Sequence, residues 1–144
     1  PFERLARGYT SIFICRSEAY KQDYIARVAA EFGADGVIFH DAKTCPHNSN
    51  SRFGLPRRLE AATGLPVWTH EINGEVWASP LVADGKVFLG TRSGAYYVFA
   101  TGREKRLLSE SKLDRGISAT TTAANGTLYV ATMTHLYALR DAAK

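Results

Sequence analysis

With 144 residues, 45% of them hydrophobic and 22% charged, the chain has the makeup of one average globular domain or two very small ones. No apolar run reaches the ~20 residues of a membrane span, so no membrane partner is expected, and no signal peptide is visible. The formal charge is only +4, and no basic stripe is interleaved with stacking aromatics, which excludes a nucleic-acid partner.

The first residue is Pro1 and not Met, so a trimmed or processed start is expected. Two cysteines, Cys15 and Cys45, are too few for a disulfide scaffold. They read as reduced thiols of a cytoplasmic protein.

The first half follows a β/α grammar. Thr10 to Cys15 (T-S-I-F-I-C) is a β-branched and aromatic run, read as a strand. Ser17 is placed to cap the next helix. In that helix Tyr20, Tyr24, Ile25, Val28, Ala29 and Phe32 fall on one stripe, and Gly33 stops it. Val37-Ile38-Phe39, closed by His40, is an unbroken apolar run, as in a parallel strand covered on both faces. A polar loop follows from Asp41 to Phe53. A second helix runs to Thr63 with Leu59 and Ala62 on its apolar side, and Pro56 sets where it begins. Gly64 ends it, and Pro66 to Thr69 returns as a strand. The order β-α-β-α-β predicts a parallel sheet with right-handed crossovers. Ligands in such sheets bind at the carboxyl ends of the strands. Here that end is the loop holding Asp41, Cys45 and His47.

The runs A-D-G-V-I-F-H-D-A-K-T-C (Ala34 to Cys45) and S-R-F-G-L-P-R-R-L-E-A-A-T-G-L-P-V (Ser51 to Val67) resemble the C-terminal α/β domain of 2-hydroxyacyl-CoA dehydratase and benzoyl-CoA reductase subunits. The resemblance covers about residues 4 to 67. It implies that Cys45 helps to hold an iron–sulfur cluster, although that family uses several cysteines per subunit and only Cys15 is present besides. Read without the resemblance, Cys45-Pro46-His47 has no usual zinc spacing, and the thiol is an ordinary loop residue. His40 then reads as structural.

From Gly74 the grammar changes to short strands alternating with Gly, Asn and Asp turns. Val76 to Thr91 aligns without a gap on Ile117 to Thr132, at an offset of 41 residues. Asp84-Gly85 falls on Asn125-Gly126, both two-residue hairpin turns. After a one-residue slip, Tyr96 to Phe99 falls on Leu136 to Leu139. A period near 40 with about four strands is a propeller blade. S-P-L-V-A-D-G-K-V-F-L-G-T-R-S-G-A-Y-Y-V-F-A-T-G (Ser79 to Gly102) resembles the PQQ-like, quinoprotein propeller repeat. The tail of that motif occurs earlier as A-A-T-G-L-P-V-W (Ala61 to Trp68).

The expected strands are Val67 to Glu71 as an outer strand, then Val76 to Val82, Val87 to Gly90, Tyr96 to Phe99 and Arg106 to Glu110 as one blade. Ile117 to Ala123, Leu128 to Thr132 and Leu136 to Leu139 give three strands of the next. Trp68 and Trp77 read as packing residues, and Ala119 to Ala124 as a tightly packed inner strand. No quinone is expected to bind. No Ser/His/Asp order, phosphate-cradling loop or paired carboxylates stand out, so no catalytic residue and no metal ligand is assigned.

The predicted class is mixed α+β. An α/β segment spans 1–70, a β-rich repeat segment spans 71–144, and Glu60 to Glu71 is a junction that both grammars claim. The leading functional expectation is a recombined or designed chimera without evolved catalysis and without cofactor. One alternative is an iron–sulfur subunit fragment of a 2-hydroxyacyl-CoA dehydratase, with Cys45 as the cofactor-binding residue. The other is a propeller-type protein-binding scaffold. Open sheet edges predict self-association, and the outer strand near Val67 is open to pairing with the third strand near Leu136, either within one chain or between copies.

Overall fold

A computed structural model describes residues 2–39, 54–65 and 68–140. The fold is mixed α+β: three α-helices, then two antiparallel sheets of four and three strands. The chain divides into two compact units, Pro1–Val67 and Trp68–Lys144, so the boundary falls inside the Glu60 to Glu71 junction.

The first unit is helical. Helix α1 spans Phe2–Ser11, and a short 3-10 turn follows at Phe13–Cys15. The strand expected over Thr10 to Cys15 is therefore not formed. Phe2, Leu5 and Tyr9 recur at helical spacing, and Glu3 pairs with Arg7 at 2.8 Å across one turn, so a helical face prevails over local β propensity. Helix α2 spans Glu18–Glu31, and the Ser17 hydroxyl accepts the Tyr20 amide at 3.3 Å, as the cap reading expects. Its C-terminus closes at Gly33 (φ +59°), with the Ala34 amide bonded to the Ala29 carbonyl at 2.8 Å, the pairing of a Schellman stop. Helix α3 spans Leu55–Thr63 with Pro56 in its first turn and Gly64 in the left-handed conformation after its end.

Val37 to Phe39 forms no strand, and neither do Trp68 and Thr69; Pro66 and Val67 lie outside the described residues. The physical reason is pairing. A parallel strand needs another strand to pair with, and in the first unit, where Val37 to Phe39 lie, no strand exists among the described residues.

Among the described residues, the strands all lie in the second unit. β1 (Leu81–Ala83), β2 (Lys86–Gly90), β3 (Ala95–Ala100) and β4 (Leu107–Lys112) form a meander. β5 (Thr122–Ala124), β6 (Thr127–Ala131) and β7 (Leu136–Leu139) form the second. Both predicted hairpin turns are present. Asp84 and Gly85 have φ of 50° and 64°, and Asn125 and Gly126 have 51° and 69°, the paired positive values of a type I′ turn. The first strand of each sheet is shorter than expected, because pairing begins only at Leu81 and Thr122.

The internal repeat is written in hydrogen bonds. Arg92 N–H to the Glu75 carbonyl (2.8 Å) recurs as Met133 N–H to the Gly116 carbonyl (3.0 Å). Thr91 N–H to the Ala95 carbonyl (2.9 Å) recurs as Thr132 N–H to the His135 carbonyl (2.8 Å). Strand alternation sends the sides of β2 and β3 to two cores. Val87, Tyr97 and Phe99 pack with Trp68 and Ile72, while Tyr96 packs on Ile117 and Val130, joined by Phe88, Val98 and Leu113. Trp68 is a packing residue as expected, its ring 5.5 Å from that of Phe99. Trp77 is not. It is exposed, with the Arg92 guanidinium stacked 4.0 Å above it. Nor is the Ala119 to Ala124 run tightly packed: Thr121 is buried, but β5 is exposed along its length.

Candidate functional site

The loop carrying Asp41, Cys45 and His47, together with His40, lies outside the described residues. The described residues of the first unit form an apolar cleft. Helix α2 presents Ile25 and Ala29, α3 presents Leu59, and Val37, Phe39 and Leu65 close the sides. Phe39 is the last described residue before that loop, so the cleft stands at the point where the chain enters it. A wider groove of about 240 Å³ continues along α2 past Tyr24, Val28 and Phe32.

The packing that shapes the cleft follows from the two helices. Leu55 and Leu59 are buried on α3 and Ala29 on α2. Small Ala29 lets the helices approach, and each buried leucine contributes about 1.5–3 kcal/mol. Charge gathers at the start of α2. Glu18 bonds Lys21 Nζ at 2.8 Å through one oxygen and Arg58 at 3.2 Å through the other, tying α2 to α3. An aromatic row runs along the same helix: Phe13 lies 5.5 Å from Tyr24, and Tyr20 stacks 6.1 Å from Tyr24. Arg16 covers Tyr20 and Arg27 covers Tyr24. The cleft and groove are lined by apolar side chains, with Glu60 as the charged residue on their rim, able to hold an apolar group.

Cys15 is an exposed free thiol on the turn between α1 and α2. Among the described residues no three His, Cys, Asp or Glu side chains come together to hold a metal. An iron–sulfur cluster takes about four thiolates, and the sequence contains two cysteines. The donor set of this chain alone does not fit a cluster.

A second polar constellation sits in the β unit. Asp114 accepts the Tyr137 hydroxyl at 2.7 Å through Oδ1, and its Oδ2 lies 2.8 Å from His135 Nδ1. Sequence reading did not find it, since its members are 21 to 23 positions apart and only the hairpin joins them. The hydrogen bond from Tyr137, then the proximity of His135, hold the Asp114 carboxyl below its usual range, and the same bond pushes the Tyr137 phenol up. A depressed carboxylate stabilises the fold above its unfolded pKa of about 3.9, and that contribution is lost as pH falls through the lower folded value. Thermal melts of the protein and of Asp114→Asn are therefore expected to differ near neutral pH and to converge in acid. A gap that persists unchanged at pH 2 would contradict this.

Against known proteins, a family model described as 2-hydroxyglutaryl-CoA dehydratase, D-component, matches residues 1–75. The match takes in all three helices and ends a few residues beyond the boundary between the units. No curated protein matches the chain.

Proposed function

The chain belongs to the 2-hydroxyglutaryl-CoA dehydratase D-component family, and from that premise we propose that residues 1–75 serve as part of the α/β domain of a dehydratase-type subunit acting on an acyl-CoA thioester. The family match is the observation that carries this reading. It favours the enzyme-subunit alternative over a recombined chain without evolved catalysis. The apolar groove along α2 agrees with a ligand that has an apolar acyl part.

Within that reading Cys45 is the residue that contributes a thiolate to an iron–sulfur cluster whose remaining ligands come from other polypeptide. Bound there, such a cluster would supply electron-transfer chemistry. Anaerobic reconstitution with iron, sulfide and an excess of a small thiol, which stands in for the ligands that this chain lacks, tests the assignment. After desalting, the protein and Cys15→Ser are expected to retain iron and sulfide with visible charge-transfer absorbance, at less than one cluster per chain. Cys45→Ser is expected to retain neither. Equal retention by all three proteins, or by none, overturns the role of Cys45.

A second reading covers residues 68–144. The recurring hydrogen bonds and the paired sheets support two propeller-type blades that act as a scaffold without quinone. It is compatible with the first, since the two readings concern different segments.

A further inference from the structure

The two sheets of the β unit are unequal copies of one pattern, and what one lacks the other end of the repeat carries. The first sheet has four strands and the second three. The missing fourth strand has a counterpart at the start of the unit. Trp68 to Ile72 aligns with Ser109 to Leu113, which includes the end of β4, at the same offset of 41 residues. Their packing agrees. Ile72 lies against Val87, Tyr97 and Phe99 as Leu113 lies against Tyr96, Ile117 and Val130. Trp68 to Ile72 thus holds the place of a fourth strand on the neighbouring sheet, yet it belongs to no sheet.

An open face accompanies the open edge. Phe88, Gly90, Tyr96 and Val98 meet the second sheet; a Cβ at Gly90 would lie 2.5 Å from Ile117 Cγ2. Their counterparts one repeat later are Tyr129, Ala131, Leu136 and Ala138. Since Val130 and Tyr137 point into the core, alternation turns these four the other way. Leu136 is 70% exposed there. Among the described residues nothing covers this face, and β7 is the edge of its sheet.

We infer that this face and the β7 edge dock a second copy of the chain, head to tail. Trp68 to Ile72 of the second copy adds as the fourth strand, and its first sheet covers Tyr129, Ala131, Leu136 and Ala138. The register follows from the existing pairs Tyr96↔Ser111, Tyr97↔Glu110 and Val98↔Ser109: Leu136 meets His70, Tyr137 meets Thr69 and Ala138 meets Trp68. The contact continues one already present inside the chain, where Ile117 N–H bonds the Thr91 carbonyl at 2.8 Å. Val76 is the counterpart of Ile117, and Thr132 that of Thr91.

Side-chain volumes match across it. Inside the chain Ile117 fills the space over Gly90; between copies the smaller Val76 meets the larger Ala131. Val82, paired with Val87 on the face of the first sheet that does the covering and 54% exposed, supplies further apolar surface. Pairing within one chain is ruled out by the sides involved. Trp68 and Ile72 lie on the face of the first sheet opposite to the one that meets β5–β7. One position weakens the contact. A Cβ at Gly116 would stand 2.3 Å from the Arg92 carbonyl, and its counterpart is Glu75, so docking between copies is looser than the junction within the chain and depends on concentration. Repeated head to tail, such a contact closes a ring where the rotation allows, and about three or four copies would bring the six to eight sheets of a closed propeller.

Sedimentation of the full chain over a wide concentration range tests this. The average mass is expected to rise with concentration towards a discrete oligomer. Leu136→Asp is expected to raise the dissociation constant about tenfold or more, the equivalent of one buried leucine, and Glu75→Gly to lower it. Because Leu136 is exposed in the single chain, the variant should keep the same circular dichroism. In a Cys15→Ser, Cys45→Ser background, His70→Cys combined with Leu136→Cys should give a disulfide ladder or closed ring beyond the dimer, while each single variant stops at the dimer. A monomer at every concentration, association indifferent to Leu136→Asp, or a double variant that stops at the dimer overturns the inference.

Discussion

Ile117→Ala is expected to destabilise the β unit by about 2–5 kcal/mol, the range for truncating a fully buried aliphatic side chain. Ile117 has no exposed surface and stands at the centre of the core shared by both sheets, against Tyr96 and Val130. It also fills the space over Gly90, where its side chain supplies the three nearest atoms. The cavity left by alanine would be lined by strands held in two separate hydrogen-bonded meanders, so collapse around it is resisted from both sides. Urea unfolding followed by tryptophan fluorescence would read the change, because Trp77 stacks on Arg92, which bonds Ser118 Oγ at 3.2 Å beside the substituted residue. A shift below about 1 kcal/mol would show that the two sheets do not share a cooperative core.

Gly116→Ala is expected to be the next most damaging change, at roughly 1–3 kcal/mol for forced displacement of packed backbone. The methyl group would meet the Arg92 carbonyl oxygen at 2.3 Å, and no flexible side chain can give way there. Moving this backbone also disturbs the Ile117 N–H bond to Thr91 at 2.8 Å and the Met133 N–H bond to Gly116 at 3.0 Å. Gly36→Ala is the control, since nothing lies within 4 Å of its added methyl, and it should fall within about 0.5 kcal/mol of the parent. Thermal melts of the three proteins would settle the comparison. Equal melting temperatures would mean that the junction yields without cost.

Residue patterns alone located much of this architecture. The Ser17 cap, the α2 stripe, the Gly33 and Gly64 stops and the Pro56 start all act over a few residues, so they survive in any surroundings. The Asp84-Gly85 and Asn125-Gly126 turns are equally local, since paired positive φ angles select them. β2, β3, β6 and β7 followed from those turns and from alternation. The candidate site was legible only as a chain segment. Cys45 came from a family pattern, while the apolar cleft could not be read, because Ile25, Phe39 and Leu59 meet only when α2 and α3 pack. Helix α1 was missed: Thr10 to Cys15 has strand composition, and the signal that outweighed it, Phe2, Leu5 and Tyr9 with the Glu3–Arg7 pair, lies just before it.

By itself the sequence determined the mixed class, the change of grammar after the junction, the repeat at 41 residues and the strands on either side of each tight turn. All of these rest on interactions between near neighbours. Tertiary structure decided which apolar runs became strands. Val37 to Phe39 and Trp68 to Ile72 have the composition, but a strand exists only through hydrogen bonds to another strand, and no pattern within a segment reveals whether that partner is in place. It also decided which side of each sheet is covered. Ile117 and Leu136 are comparable aliphatic residues within the same repeat, yet one is wholly buried and the other largely exposed. The difference lies in whether a second sheet stands over them.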